Sequence, residues 1–100
     1  MTHDFQIAVF EGDGIGPEIM APTVDILSSL AAVSSAYSLS CVAYPAGAAH
    51  YAKTGESLPA ASLQAAGQAD AILLSAMGLP DVRYADGAEI SPQLDLRKAF

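Results

Sequence analysis

Basic residues are scarce in this 100-residue chain: 4 Lys and Arg stand against 11 Asp and Glu, giving a formal charge of −7 and an isoelectric point near 4.3. That balance argues against a nucleic-acid or anionic-membrane partner, because both need a basic patch to neutralise phosphate. None of the 4 falls within the first 52 residues, and Asp4 stands where a secretion signal would carry positive charge, so a cytoplasmic location is expected. Long apolar runs are missing too. The most apolar stretch, Ala69 to Pro80, is interrupted by Asp70 and is far shorter than the ~20 residues of a membrane span. Tryptophan is absent, and Cys41 is the only cysteine, which rules out an internal disulfide and fits a reducing compartment. With no neighbouring base, Cys41 reads as a packed strand residue. His3 falls in what reads as a frayed terminus, and His50 has no second ligand at metal spacing.

What the chain has in quantity is alanine, with 20 residues, while Leu, Ile, Val and Phe together number 24. This is enough to exclude disorder and to build one small domain, but not two. Ile7-Ala8-Val9-Phe10 reads as a short strand, and Pro17-Glu18 opens a helix in which Ile19, Val24, Ile26, Leu27 and Leu30 mark the apolar side. Pro22 inside it removes one donor and predicts a bend or a loosened first turn. Tyr37 to Tyr44 alternates as a strand with one face better buried. Ala48 to Lys53 can form about two helical turns closed by Gly55 in a left-handed cap. Ser57-Leu58-Pro59 restarts a helix that runs out at Gly67, and Ala71-Ile72-Leu73-Leu74 has the unbroken apolar pattern of a strand buried on both faces. Gly78 to Ile90 reads as a loop, in which Asp81, Asp86 and Glu89 are solvated rather than a metal cluster, and Pro92 to Phe100 as a helix. This order predicts an α/β fold, a partial parallel-type sheet with flanking helices. The last helix has no Gly, Asn or Pro to stop it, so residues 1–100 are expected to be the N-terminal part of a domain.

Gly12-Asp13-Gly14-Ile15-Gly16, between a strand and a helix, lies where free N–H groups and the helix dipole favour an anion. The dinucleotide fingerprint G-x-G-x-x-G fails, because Pro17 takes the last position, and a P-loop would need a Lys that does not occur before Lys53. Asp13 and Glu18 add negative charge and argue against direct phosphate contact. The competing reading is a tight turn in which glycines satisfy backbone geometry.

The string Gly12-Asp13-Gly14-Ile15-Gly16-Pro17-Glu18-Ile19 resembles the opening of the isocitrate, isopropylmalate and tartrate dehydrogenases, a family of β-decarboxylating enzymes. Gly55-Glu56-Ser57-Leu58-Pro59, Ala69-Asp70-Ala71-Ile72-Leu73-Leu74 and Leu96-Arg97-Lys98 agree in order and spacing, so the resemblance runs from Ile7 to the last residue. It implies the N-terminal part of an isopropylmalate-dehydrogenase-like fold. It further implies oxidation and decarboxylation of a small 2-hydroxy dicarboxylate with NAD, or NADP, and Mg or Mn as a Lewis acid. It also implies a homodimer several times longer than this chain, with the acid, base and metal ligands beyond Phe100.

By the same resemblance, Ile15 borders the nucleotide cleft and Gly78 belongs to the segment beside the nicotinamide. Arg97 matches the first of several arginines that clamp substrate carboxylates, a task suited to its planar fork. A solvated cation favoured by the helix dipole is the competing reading of Arg97. Ser91 and Gln93 match positions that meet the substrate's variable group, where isopropylmalate enzymes usually place Leu at the second and isocitrate enzymes Ser and Asn. Ser and Gln imply a polar pocket. Ser75 and Leu79 stand where the family commonly has glycines. A different class remains open, a non-catalytic subunit or inactive fragment that keeps only the fold.

Overall fold

The computed structural model describes residues 3–100. Three strands, β1 (His3–Phe10), β2 (Tyr37–Ala43) and β3 (Ala71–Leu74), form one parallel sheet in the order β2-β1-β3. The chain leaves β1 through α1 (Gly16–Val33) to reach β2 on one side. It then crosses by α2 (Ala48–Thr54) and α3 (Ala60–Gln68) to reach β3 on the other side of β1, and α4 (Pro92–Ala99) follows a long loop. Both faces of the sheet are covered. Ala8 and Phe10 pack with Ala66 of α3 and Leu96 of α4. Side chains alternate along a strand, so Val9 points the other way, toward Met20 and Val24 of α1. The predicted α/β class and parallel sheet with flanking helices are therefore present.

Several local expectations are corrected. β1 starts at His3 rather than Ile7, because its polar half pairs with β2 from His3 opposite Tyr37 onward, and Asp4 accepts hydrogen bonds from the Ser38 hydroxyl at 2.8 Å and the Ser40 hydroxyl at 3.4 Å. His3 is thus a strand residue, its ring 4.3 Å from that of Phe5. In α1 the buried side runs through Gly16 and Met20, with Val24, Leu27 and Ala31 half-buried, while Ile19, Ile26 and Leu30 are exposed. The helix carries two apolar stripes, and only one of them faces the sheet. It continues unbroken across Pro22, and the Thr23 hydroxyl donates to the Ile19 carbonyl at 2.8 Å.

β3 is an edge strand with Ala71 and Leu74 exposed, so its apolar run does not report burial on both faces here. β2, at the other edge, is half-buried from Tyr37 to Cys41 without alternation. α3 begins at Ala60, leaving the Ser57 hydroxyl outside the helix and 2.6 Å from the Tyr84 hydroxyl. Gly55 closes α2 as expected, with φ +83° and its N–H on the Tyr51 carbonyl at 2.8 Å. No described helix is long and apolar enough to cross a membrane.

Candidate functional site

Because the strands are parallel, the loops that follow them emerge at one edge of the sheet, and the reversal of strand order about β1 makes this edge the topological switch point where α/β sheets bind ligands. The β1–α1 turn, Glu11 to Ile15, begins there. Gly12 and Gly14 have φ of +77° and +59°, which L side chains rarely adopt. Close approach adds a second constraint: a Cβ on Gly12 would overlap the Ala76 carbonyl oxygen, and one on Gly16 would overlap that of Glu11. The Asp13 N–H donates to the same Ala76 carbonyl at 2.8 Å. Backbone from the β1 and β3 loops therefore fills the inner part of the crevice.

Asp13 is the residue whose role the sequence conceals. Its side chain does not face an approaching anion. It is 4% exposed and turned inward, where Oδ2 accepts the N–H groups of Ala48 at 2.7 Å and Gly78 at 2.8 Å, and Oδ1 accepts that of Ala49 at 2.9 Å. One carboxylate thus joins the loops after all three strands. It also supplies the cap that α2 lacks, since the N-cap residue is Gly47, which has no side chain to cap the helix, and there is no acid in the first turn. A helix starting Gly-Ala-Ala without a capping residue is the signal that a donor-hungry end is satisfied from elsewhere. Of the two acids read as repelling phosphate, only Glu18 remains exposed on the surface.

The candidate residues fall into two groups. Ile15, 61% exposed at the start of α1, and Gly78 come together through Asp13 and through Gly14, whose Cβ position lies 4.0 Å from Leu79 Cδ2. The segment leading into α4 reaches the same place, because the Gly78 Cβ position is 3.4 Å from the carbonyl oxygen of Ile90, the residue before Ser91. Ser91 occupies the N-cap position without a side-chain cap bond, and its carbonyl accepts the Leu94 N–H at 3.0 Å.

Arg97 stands apart, about 9 Å along the helix from Ser91 at 1.5 Å per residue. It is exposed and lines an open groove of about 340 Å³ with Ile72, Leu74, Leu96 and Phe100. Gln93 shares its helix face, four residues earlier. The Gln93 amide oxygen is buried with no hydrogen-bond partner.

The loop from Gly78 to Ile90 is organised without regular structure. Arg83 donates to the carbonyls of Pro80 at 3.3 Å and Gly87 at 3.2 Å and pairs with Glu89 at 3.7 Å. Tyr84 anchors it to the scaffold by its bond to Ser57 and an edge-on contact with Tyr51, ring centroids 5.0 Å apart. Sequence reading missed this anchor, since nothing local links residues 27 positions apart.

Comparison with known proteins agrees with this architecture. The chain is 43% identical over its whole length to a 3-isopropylmalate dehydrogenase of Clavibacter michiganensis subsp. michiganensis, and spans 28% of that protein. It is 40% identical to the 3-isopropylmalate dehydrogenase of Yersinia pestis, again over the whole chain and 28% of the relative. Among solved structures, an apo β-decarboxylating dehydrogenase from Thermococcus kodakarensis matches 94% of this chain and 26% of its own with a TM-score of 0.67 and 29% identity. Residues 6–100 match the family model for isocitrate/isopropylmalate dehydrogenase. That match over residues 6–100, with whole-chain identities of 43% and 40% to 3-isopropylmalate dehydrogenases and the shared parallel-sheet fold, places this chain in the isocitrate/isopropylmalate dehydrogenase family.

Proposed function

We propose that these residues form the N-terminal portion of an enzyme that oxidises and decarboxylates a 2-hydroxy dicarboxylate of the isopropylmalate, isocitrate or tartrate class, with NAD or NADP. The observation that carries this reading is that the turn holding Ile15, through Asp13, and the residue before Ser91 both pack against Gly78 at the carboxyl ends of parallel strands in a member of this family. Exposed Ile15 and half-buried Leu79, with side-chain-free Gly14 between them, fit one apolar wall for a flat ring. They do not fit a phosphate, since Glu18 is nearby and the Asp13 carboxylate already takes the inward N–H groups. A nicotinamide held against Ile15 and Leu79 would supply the hydride acceptor that oxidation of the carbinol requires. This chain's contribution is to hold the ring and exclude water from it, while Arg97 supplies a planar cation for a substrate carboxylate.

The residues present do not fit the Mg or Mn that such enzymes are expected to use. Among the described residues no three His, Cys, Asp or Glu side chains converge, and Asp13 is fully engaged by backbone donors. The metal ligands, like the acid and base, are assigned to the remaining length of the enzyme.

The test is a hybrid in which this chain replaces the matching first segment of the Clavibacter michiganensis relative. Reduction of NAD or NADP that depends on a hydroxy acid of this class is expected. A hybrid that folds and binds neither nucleotide nor hydroxy acid would refute the assignment.

A further inference from the structure

The Asp13 carboxylate has no cation beside it to balance its charge: among the described residues the only ion pair is between Arg83 and Glu89. Its charge is met by three main-chain N–H groups, two from the start of α2 and one from Gly78. The surroundings leave it little room to settle elsewhere. A Cβ on Gly47 would lie 2.7 Å from Oδ2 and 2.9 Å from Oδ1, so the carboxylate sits flush against that backbone. On the other side the Asp13 N–H is held by Ala76, two residues before Gly78. One residue therefore binds the β3 loop twice, once through its main chain and once through its side chain. The turn that carries Ile15 and the segment that carries Gly78 are fixed relative to each other by that pair of bonds, and both are fixed to α2 by the other oxygen contacts.

We infer that Asp13 is a positioning residue: through three backbone N–H groups its buried carboxylate sets the separation between the Ile15 turn and the Gly78 segment, which together build one wall of the nucleotide cleft. This rests on the function proposed above. Asp13 touches no reacting atom, so its loss changes the fit of the nucleotide more than the fit of the hydroxy acid. The two oxygens are unequal. An Asn that keeps its carbonyl in the place of Oδ2 retains the bonds to Ala48 and Gly78 but sets its NH2 against the Ala49 N–H, replacing one bond by a donor–donor contact, whereas Ala loses all three.

Two measurements separate the clamp from its consequence. Hydrogen exchange read by mass spectrometry, on the 100-residue chain and on the hybrid, compares the unchanged protein with Asp13→Asn and Asp13→Ala. Peptides covering 47–50 and 76–79 are expected to exchange about tenfold faster together in Asp13→Ala, while peptides within β1 and β2 keep their protection. In Asp13→Asn the 76–79 peptide stays protected. If only one of the two segments loosens, or neither does, there is no clamp, whatever the function. If every peptide loosens in both variants, Asp13 serves stability alone.

Steady-state kinetics of the hybrid then read the consequence. The KM for the nucleotide is expected to rise about tenfold in Asp13→Ala with the KM for the hydroxy acid nearly unchanged, and Asn is expected to rescue most of the loss. Coupled loosening with an unaltered nucleotide KM would overturn the positioning role while leaving the functional reading intact. An unmodified hybrid that binds no nucleotide would bring down the reading, and the inference with it, even where the exchange data show the clamp.

Discussion

Gln93 and Arg97 share a face of α4 but differ in how fully their polar atoms are satisfied. The buried, unpartnered oxygen of Gln93 carries a desolvation cost of about 1–3 kcal/mol; turned out of that position toward a substrate, the amide would gain from a polar donor and be left unpaired by an isopropyl group. In the hybrid, Gln93→Leu is therefore expected to shift the ratio of kcat/KM for isopropylmalate over malate, tartrate or isocitrate by about ten- to a hundredfold toward isopropylmalate. An unmodified hybrid that already prefers isopropylmalate strongly would mean that this amide never meets the substrate, and the ratio would then not move on substitution. Arg97→Lys probes the other member of the pair. A point charge cannot replace a bidentate fork, so kcat/KM should fall by about tenfold or more, against no measurable change for exposed Lys53→Ala. Equal effects of the two substitutions would make Arg97 an ordinary solvated cation.

At the scale of elements, much of the fold was legible from local signals. Pro17-Glu18 announced α1, Gly55 closed α2 in the left-handed conformation, and the apolar run Ala71–Leu74 is β3 with those same bounds. What was not legible depends on partners distant in sequence. The polar residues His3 to Gln6 become strand because β2 offers Ser38 and Ser40 to Asp4, a contact no window around residue 4 contains. The apolar residues of α1 exceed one face, so periodicity alone could not choose Met20 over Ile19 and Ile26 as the buried set. Stability measurements separate these faces. Met20→Ala should cost about 2–5 kcal/mol by opening a cavity against the sheet, whereas Ile26→Ala should cost about 0.5 kcal/mol or less in the isolated chain. Comparable losses in chemical denaturation would show that the second stripe is covered after all.

For the whole molecule, the same division explains what could be read of the site. Family motifs marked Ile15, Gly78, Ser91, Gln93 and Arg97, and the fold brings Ile15, Gly78 and Ser91 to one edge of the sheet while setting Arg97 in a separate groove. Asp13 went unrecognised as the link from the Ile15 turn to α2 and Gly78 because its three partners lie 35 to 65 residues away. The chain spans 28% of the length of relatives such as the Clavibacter michiganensis enzyme, and no described cluster of residues could supply a metal site. The 100 residues alone are accordingly expected to show no metal-dependent NAD reduction with any of these hydroxy acids, and turnover by the isolated chain would overturn that division of labour. The central claim, that the β1–α1 turn is a wall of the nucleotide cleft, is tested most directly at Ile15, exposed and engaged in no side-chain bond. The measurement is the nucleotide KM of the hybrid carrying Ile15→Asp or Ile15→Leu, with the hydroxy acid saturating and thermal stability recorded for each. The expected result is a rise of about tenfold or more for Asp, about twofold or less for Leu, and no change in melting temperature. A nucleotide KM that Ile15→Asp leaves unchanged in an active hybrid would contradict the account.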